Sequence, residues 1–134
     1  MKERIVIVAM HPKHKVWDAL CERTCELAKY LDDIASVELQ SRETSDTGLV
    51  RCVHHWRARA GVPSFLEPHI NRGFLEWIGR TEWQIDEDKS LWVVEPLFMN
   101  HSALYEALML FSPAMGGRGT RIVLEFDKIG RAHV

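Results

Sequence analysis

The sequence predicts an α+β fold in which one curved antiparallel β-sheet follows one or two short N-terminal helices. A β-branched run at Arg4 to Met10 and a helical pattern after Pro12 come first. Turn residues at hairpin spacing then divide the rest of the chain into strands. With 134 residues, the chain is long enough for one domain and too short for two. We therefore expect a single sheet that shares one core with its helices.

The spacing of apolar residues defines the first strand and the helical segment. The run RIVIVAM has strand length and is too short to indicate a helix. Pro12 suits a first helical turn. The apolar residues at helical spacing are Val16, Trp17, Leu20, Leu27, Tyr30 and Leu31. This pattern fits one helix, or two short helices broken near Glu22 to Thr24.

After Asp32 and Asp33, every segment has an antiparallel β pattern. The strands and connections alternate as IASVELQSRE, SDTG, LVRCVHHWRARA, GVPSFLEPHINRG, FLEWIGRTEWQID, EDK, SLWVVEPLF, MNHS, ALYEALMLFSPAM, GGRG and TRIVLEFD. The short connections are rich in turn residues. This order predicts one large meander.

Alternation along these strands predicts one apolar, aromatic inner face. In LVRCVHHWRARA, Cys52, His54 and Trp56 lie on that face, whereas Arg51 and Arg57 lie on the other. The inner face continues with Trp77, Thr81, Trp83, Ile85, Trp92, Val94, Tyr105, Ala107, Met109, Phe111, Ile122, Leu124 and Phe126. On the outer face, Arg on one strand can meet Glu on its neighbour.

Charge and composition exclude several partners. The net charge of -2 and the pI near 6.4 indicate no basic surface for nucleic acid or anionic membranes. No apolar stretch approaches the roughly 20 residues of a membrane span, so we expect no integral membrane association. The three cysteines form no even disulfide set, which is typical of a reducing compartment and predicts a cytoplasmic protein.

The pattern of reactive residues predicts neither a metal nor a cofactor. His54 and His55 are adjacent in a strand and point to opposite faces, and Cys21 and Cys25 lack a second ligand pair. The sequence has no Gly-x-Ser-x-Gly motif, and GGRG lies between two strands, where it is better interpreted as a turn than as a phosphate loop.

Two motifs resemble the START-like (SRPBCC, birch-pollen-allergen-like) superfamily, particularly its bacterial polyketide cyclase/dehydrase branch. Pro12, Val16 and Trp17 are similar to the small-Pro-x-x-x-Val-Trp pattern at the start of that family's first helix. The segment FSPAMGGRGT, Phe111 to Thr120, resembles its last hairpin. The resemblance covers roughly Arg4 to Asp127 and implies a helix-grip fold, with a ligand cavity between the sheet and a long C-terminal helix. It implies no fixed catalytic set.

The end of the chain departs from that pattern, because it stops just after the last predicted strand. The DNA string AAGATCGGAAGAGCACACGTC, which contains the start of a common sequencing-library adapter, translates as Lys-Ile-Gly-Arg-Ala-His-Val, the last seven residues here. We therefore expect residues 1–128 to be a ligand-binding domain truncated before its C-terminal helix. Residues 129–134 are expected to be an adapter-derived, non-native tail.

The leading functional hypothesis is binding or carriage of a hydrophobic small molecule, such as a lipid, quinone or polyketide-like compound, on the inner face. Its predicted ligand-binding residues are His54, Trp56, Trp77, Thr81, Trp92, Tyr105 and Met109. A polyketide aromatase/cyclase-type enzyme, with His54 or Tyr105 as the proton-transfer group, is the first alternative. The second is an interaction module that forms an oligomer through an exposed sheet face. The same His and Tyr can also be core residues satisfied by neighbours, and the Trp residues can be core without a ligand.

Overall fold

A single antiparallel sheet makes up most of the protein in a computed structural model, which describes residues 2–59, 76–97 and 103–131. Its seven strands lie in the order β1-β7-β6-β5-β4-β3-β2, so β2 to β7 form a meander and β1 returns to pair with β7. The strands are β1 (Glu3–Ala9), β2 (Ile34–Thr44), β3 (Val50–Ala58), β4 (Glu76–Gln84), β5 (Lys89–Pro96), β6 (Ala103–Ala114) and β7 (Gly119–Arg131). The predicted α+β meander is confirmed.

The helical segment between β1 and β2 is broken into short pieces. Helix α1 (Lys13–Trp17) runs into a π-helical turn (Asp18–Glu22), and a 3-10 helix (Thr24–Lys29) follows. Arg23 interrupts them with φ -117° and ψ 35°. The alternative of two short helices is therefore confirmed, and the break falls where it was expected. Within the described ranges, no helix has the length and hydropathy that a membrane-spanning helix needs.

Strand β2 bends over its length. Its register with β3 shifts between Ile34 and Ser36 and again between Leu39 and Ser41, and such bulges bend a strand and increase its twist. After the second shift, Arg42 pairs with Cys52 and so lies on the inner face. There its guanidinium donates to both carboxylate oxygens of Glu22, at 2.7 and 3.0 Å. This ion pair links the π-helical turn to the part of β2 that follows the second bulge.

The outer face of β3, β4 and β5 carries the predicted charge pairs. Arg57 Nε lies 2.8 Å from Glu76 Oε1, and Arg80 Nη1 lies 3.0 Å from Glu95 Oε2. Arg51 and Glu82 pair more loosely, at 3.7 Å between Nη2 and Oε1. Exposed pairs of this kind contribute about 0–1 kcal/mol each. They identify the solvent-facing side of the sheet, and the inner face lies opposite.

Two apolar clusters hold the helical segment on the inner face. The first, here called the α1 cluster, consists of Val16, Trp17, Cys21, Trp83, Phe111 and Ile122. The second, here called the β2–β3 cluster, consists of Ile34, Val37 and Trp56, with Leu27 and Ala28 of the 3-10 helix packed against it. Trp92 packs against both clusters and joins them. The helical segment therefore packs on the inner face at two places, which Trp92 connects.

Three details differ from the prediction or lie beyond it. Ile85 is exposed rather than inward-facing, because a 3-10 turn (Ile85–Glu87) begins there and ends the strand alternation. Strand β7 continues past its expected end at Asp127 to Arg131. The predicted connections 61–73 and 99–102 lie outside the described residues. The origin of residues 129–134 stays a prediction.

Candidate functional site

Cross-strand pairing arranges the inner-face side chains in rows that run across the sheet. One row contains His54, Gly79, Val94 and Tyr105, on β3, β4, β5 and β6. Trp56 and Trp77 are paired in the row on one side, and Thr81 and Trp92 in the row on the other. The register thus brings six of the seven predicted ligand-binding residues into three adjacent rows. Met109 lies one row further on, paired with Ser90 and packed against the α1 cluster.

Aromatic side chains line this face and are here called the aromatic walls. Trp56 and Trp77 are stacked, with ring centroids 5.8 Å apart and an interplanar angle of 12°. Trp83 and Trp92 meet edge to face at 5.8 Å. Trp77 and Trp92 are half-buried, and Tyr105 is 40% exposed. Part of the aromatic surface of Trp77, Trp92 and Tyr105 is therefore accessible to solvent.

Two of the indole N–H groups are satisfied by a hydroxyl two residues earlier in the same strand. Trp83 Nε1–H donates to Thr81 Oγ1 at 3.1 Å, and Trp92 Nε1–H donates to Ser90 Oγ at 2.9 Å. Side chains two apart in a strand point to the same face, so the spacing places each hydroxyl beside its indole. Both hydroxyl residues are buried. In each case the hydroxyl accepts one bond and keeps its own proton to donate, so Thr81 stays a predicted ligand-binding residue.

Trp56 breaks this pattern, because the residue two positions earlier is His54. The two side chains are 7% and 3% exposed. Neither Trp56 Nε1 nor His54 Nδ1 has a hydrogen-bond partner within the described part of the chain. We refer to these two atoms as the polar pair. Nearly all buried polar groups in folded proteins are hydrogen-bonded. We therefore expect the hydrogen-bond partner of the polar pair to come from outside the described residues.

Gly79 lies beside the indole of the polar pair and is paired with its histidine. It is paired with His54 across the β3–β4 ladder, and a Cβ added at Gly79 would lie 3.1 Å from Trp56 Nε1. The indole N–H therefore lies over the glycine that faces His54. An isolated Gly within a strand often marks a close approach of another group to the backbone, and this signal in EWIGRTEW could have identified Gly79 from the sequence.

Burial controls the charge state of His54. Desolvation lowers its pKa below the ordinary value, because the imidazolium form loses hydration inside the protein. The imidazole is therefore neutral at neutral pH. A neutral imidazole carries one proton on its two nitrogens, so Nδ1 can act as a hydrogen-bond acceptor or, in the other tautomer, as a donor.

His54 and Tyr105 lie in one row, on strands separated by three inter-strand spacings, or about 14 Å between backbones. They are therefore not cross-strand neighbours. Their proposed roles in proton transfer stay a prediction.

The described residues include no cluster of three or more His, Cys, Asp or Glu side chains arranged to hold a metal ion. Cys21 and Cys52 are free and buried, and burial raises the pKa of both thiols, that of Cys21 to about 12. A protonated thiol is a poor nucleophile, so neither is suited to covalent catalysis.

Comparison with known proteins supports the architecture. Ara h 8.0201 has a TM-score of 0.60 and 14% sequence identity, over 100% of this chain and 81% of that one. The protein XoxI from Bacillus cereus has a TM-score of 0.56 and 14% identity, over 99% of this chain and 78% of that one. A putative uncharacterized protein from Bacillus thuringiensis has a TM-score of 0.53 and 10% identity, over 100% and 82% of the two chains.

The chain therefore has the START-like, birch-pollen-allergen-like fold, as the two sequence motifs implied. No protein-family model matches the sequence, and no curated protein matches it. At these identities the similarity establishes the fold alone, because one fold can host many functions.

Proposed function

We propose that the protein binds or carries an apolar small molecule, such as a lipid, a quinone or a polyketide-like compound, on the inner face of its sheet. The observation that carries this proposal is the combination of half-open aromatic walls with the buried polar pair. Sites for small molecules are typically apolar surfaces with a few polar groups that orient the ligand. The predicted site residues stay a prediction until a ligand is found.

The walls would contribute most of the affinity. Trp77, Trp92 and Tyr105 present aromatic surface that a planar or extended apolar body can cover. Val94 lies between them and adds an aliphatic floor. Removing such surface from water contributes about 25 cal/mol per Å².

A fluorescent apolar probe tests the location of the site. We expect Nile red to bind the wild-type protein and to bind the Tyr105→Ala variant about three- to tenfold more weakly, because an aromatic contact is lost. Glu106→Ala is the matched control, since Glu106 is the next residue on β6, faces the opposite side and is exposed. Equal affinities in the two variants would place binding elsewhere. Native mass spectrometry of the purified protein would show whether an apolar compound accompanies it.

A cyclase/dehydratase-type enzyme, the activity associated with the polyketide cyclase/dehydrase branch, is a second candidate. A neutral, buried His54 favours it, because such an imidazole can accept a proton from a bound poly-carbonyl chain. His54→Gln would then abolish turnover of a poly-β-keto thioester without unfolding the protein. Absence of turnover by the wild-type protein across a panel of such thioesters would count against this candidate.

An interaction module is a third candidate. Ile5 and Ile7 on β1 belong to the inner face, where they pair with Leu124 and Ile122, yet they are 44% and 49% exposed. Exposed apolar surface of this kind can mark a protein interface. Light scattering after gel filtration should then give one discrete oligomer, and aggregates of indefinite size would argue against it. The three free cysteines support a reducing, cytoplasmic location in each case.

A further inference from the structure

The polar pair differs from the other polar groups of the inner face in having no internal partner among the described residues. Trp83 and Trp92 each bond a Thr or Ser hydroxyl two residues earlier, and the same position before Trp56 is occupied by His54. The strand geometry is the same in all three cases, so the difference comes from the side chain at that position. A hydroxyl is the group that this face uses to satisfy an indole N–H.

A ligand hydroxyl matches both members of the polar pair at once. An indole N–H can only donate, so its partner must accept. His54 Nδ1 completes the match as an acceptor in one tautomer, which requires a partner that donates. Because an alcohol oxygen accepts and its proton is donated, one hydroxyl can serve both atoms.

Charge disfavours an anionic alternative. Burial keeps His54 neutral, and Arg42, which the β2 bulge brings to the inner face, is already held by both oxygens of Glu22. The register gives the polar pair no cationic neighbour on the adjacent strands, because Lys128 pairs with Tyr105 at the far side of the row. A carboxylate beside the polar pair would therefore be desolvated without a neighbouring free cation. Burying an unpaired charge costs far more than burying a hydroxyl with two hydrogen bonds.

The rows of the sheet also indicate where the rest of such a ligand would lie. From His54, the row passes Gly79 and Val94 to the exposed Tyr105, about 14 Å away. His54 is buried in this row, whereas Tyr105 is exposed and is followed by Lys128 on β7. An elongated apolar body with one terminal hydroxyl fits this arrangement.

We infer that the polar pair recognises a hydroxyl group on an otherwise apolar ligand, with the oxygen accepting from Trp56 Nε1–H and the hydroxyl proton donated to His54 Nδ1. This inference rests on the proposed binding function and adds the chemical class of the ligand, an uncharged alcohol.

Three probes that share a chain of ten carbons separate the possibilities: decanol, decyl methyl ether, which accepts but cannot donate, and decanoate, which is charged. Isothermal titration calorimetry at pH 8 should show decanol binding about tenfold or more tightly than the ether, since the ether leaves His54 Nδ1 unpaired. Decanoate should bind more weakly than decanol. Decanoate binding more tightly than decanol, or an ether as tight as the alcohol, would overturn the inference.

Two variants assign the preference to the polar pair. His54→Thr places a hydroxyl two residues before Trp56, as Thr81 and Ser90 do for Trp83 and Trp92, and should reduce the decanol-to-ether ratio to below about twofold. Trp56→Phe removes the donor and should also reduce decanol affinity, which keeps the inference testable if His54→Thr does not fold. His55→Thr is the matched control, because His55 lies on the outer face beside Glu76 and the ratio should stay at the wild-type value.

The failure of this inference differs from the failure of the proposed function. If all three probes bind, His54→Thr keeps the wild-type ratio and Trp56→Phe keeps the wild-type decanol affinity, a site for apolar compounds exists but the polar pair does not recognise a hydroxyl. If none of the probes and no Nile red binds to the folded wild-type protein, the binding function itself is wrong and the inference falls with it.

Discussion

The α1 cluster and the β2–β3 cluster use tryptophan in different ways. In the α1 cluster, Trp83 is 1% exposed, contacts Trp17 and Phe111 through its ring, and donates its N–H to Thr81. In the β2–β3 cluster, Trp56 is nearly as buried and stacks on Trp77, but its N–H has no partner within the described ranges. In the first region the buried indole N–H is satisfied within the protein, and the second region contains polar groups that its own described residues do not satisfy. We take this difference as the mark of the candidate site.

The largest expected effect tests whether the α1 cluster is a closed core. Trp83→Ala should lower the free energy of unfolding by about 3–5 kcal/mol, because it removes a fully buried aromatic side chain and leaves a cavity. Urea unfolding followed by circular dichroism measures this. Leu39→Ala, at a half-exposed position on β2, is the control and should cost much less. Similar losses in both variants would show that Trp83 does not belong to a closed core.

The next effect tests the internal hydrogen bond of that core. Thr81→Val keeps the shape of the side chain but leaves the Trp83 N–H buried without its acceptor, and it should cost about 1–3 kcal/mol in unfolding free energy. Thr44→Val, at the exposed end of β2, provides the comparison and should change stability by less than about 0.5 kcal/mol. A neutral Thr81→Val variant would remove the distinction between the two clusters.

The pH dependence of stability tests the burial of His54. Its pKa is lowered in the folded protein, so the unfolded chain binds more protons between the folded value and the unfolded value of about 6.5. The contribution of neutral His54 to the free energy of unfolding is fully present above the unfolded-state pKa. It is lost as the pH drops through the lower folded-state pKa. One proton limits the slope to about 1.4 kcal/mol per pH unit.

The control for this prediction is His54→Gln, measured from pH 8 to pH 5 by the same urea titration. Since six other histidines also titrate, the informative quantity is the difference between the two pH profiles. The wild-type protein should lose more stability than the variant on acidification. Parallel profiles would mean that His54 stays hydrated in solution.

The smallest effect compares the two indoles directly. Trp83→Phe removes a hydrogen bond and leaves Thr81 Oγ1 without its donor, whereas Trp56→Phe removes an N–H that has no partner among the described residues. We therefore expect Trp56→Phe to cost about 1 kcal/mol less than Trp83→Phe in ligand-free protein. Thermal unfolding of the two variants after delipidation measures this difference. A larger cost for Trp56→Phe would indicate that its N–H is bonded in solution.

Much of the candidate site could be predicted by alternation alone. The inward positions of His54, Trp56, Trp77 and Trp92 follow from the two-residue period of strands, and the outer pairing of Arg57 with Glu76 follows from the opposite parity. The position of Ile85 was predicted wrongly, because alternation holds only while the strand continues and a 3-10 turn begins at that residue.

Other features could not be predicted, because they depend on register. The bulges in β2 shift its parity, which places Arg42 on the inner face and beside Glu22. The alignment of Gly79 with His54 depends on the pairing of β3 with β4, and a shift of one residue would have placed a different neighbour there. Neither pairing is a property of one strand considered alone.

The sequence by itself determined the order of the elements and the face on which Trp56, Trp77 and Trp92 lie, because local propensity and side-chain period act within single segments. It left open whether one helix or two short helices precede β2. Only the tertiary structure decided which of the indole N–H groups have a hydrogen-bond acceptor. Thr81 and Ser90 complete two indoles, whereas Gly79 and His54 leave the third without a partner in the described chain. Hydrogen bonding depends on the positions of atoms to within a few tenths of an ångström, and those positions are defined only when strands pair and helices pack.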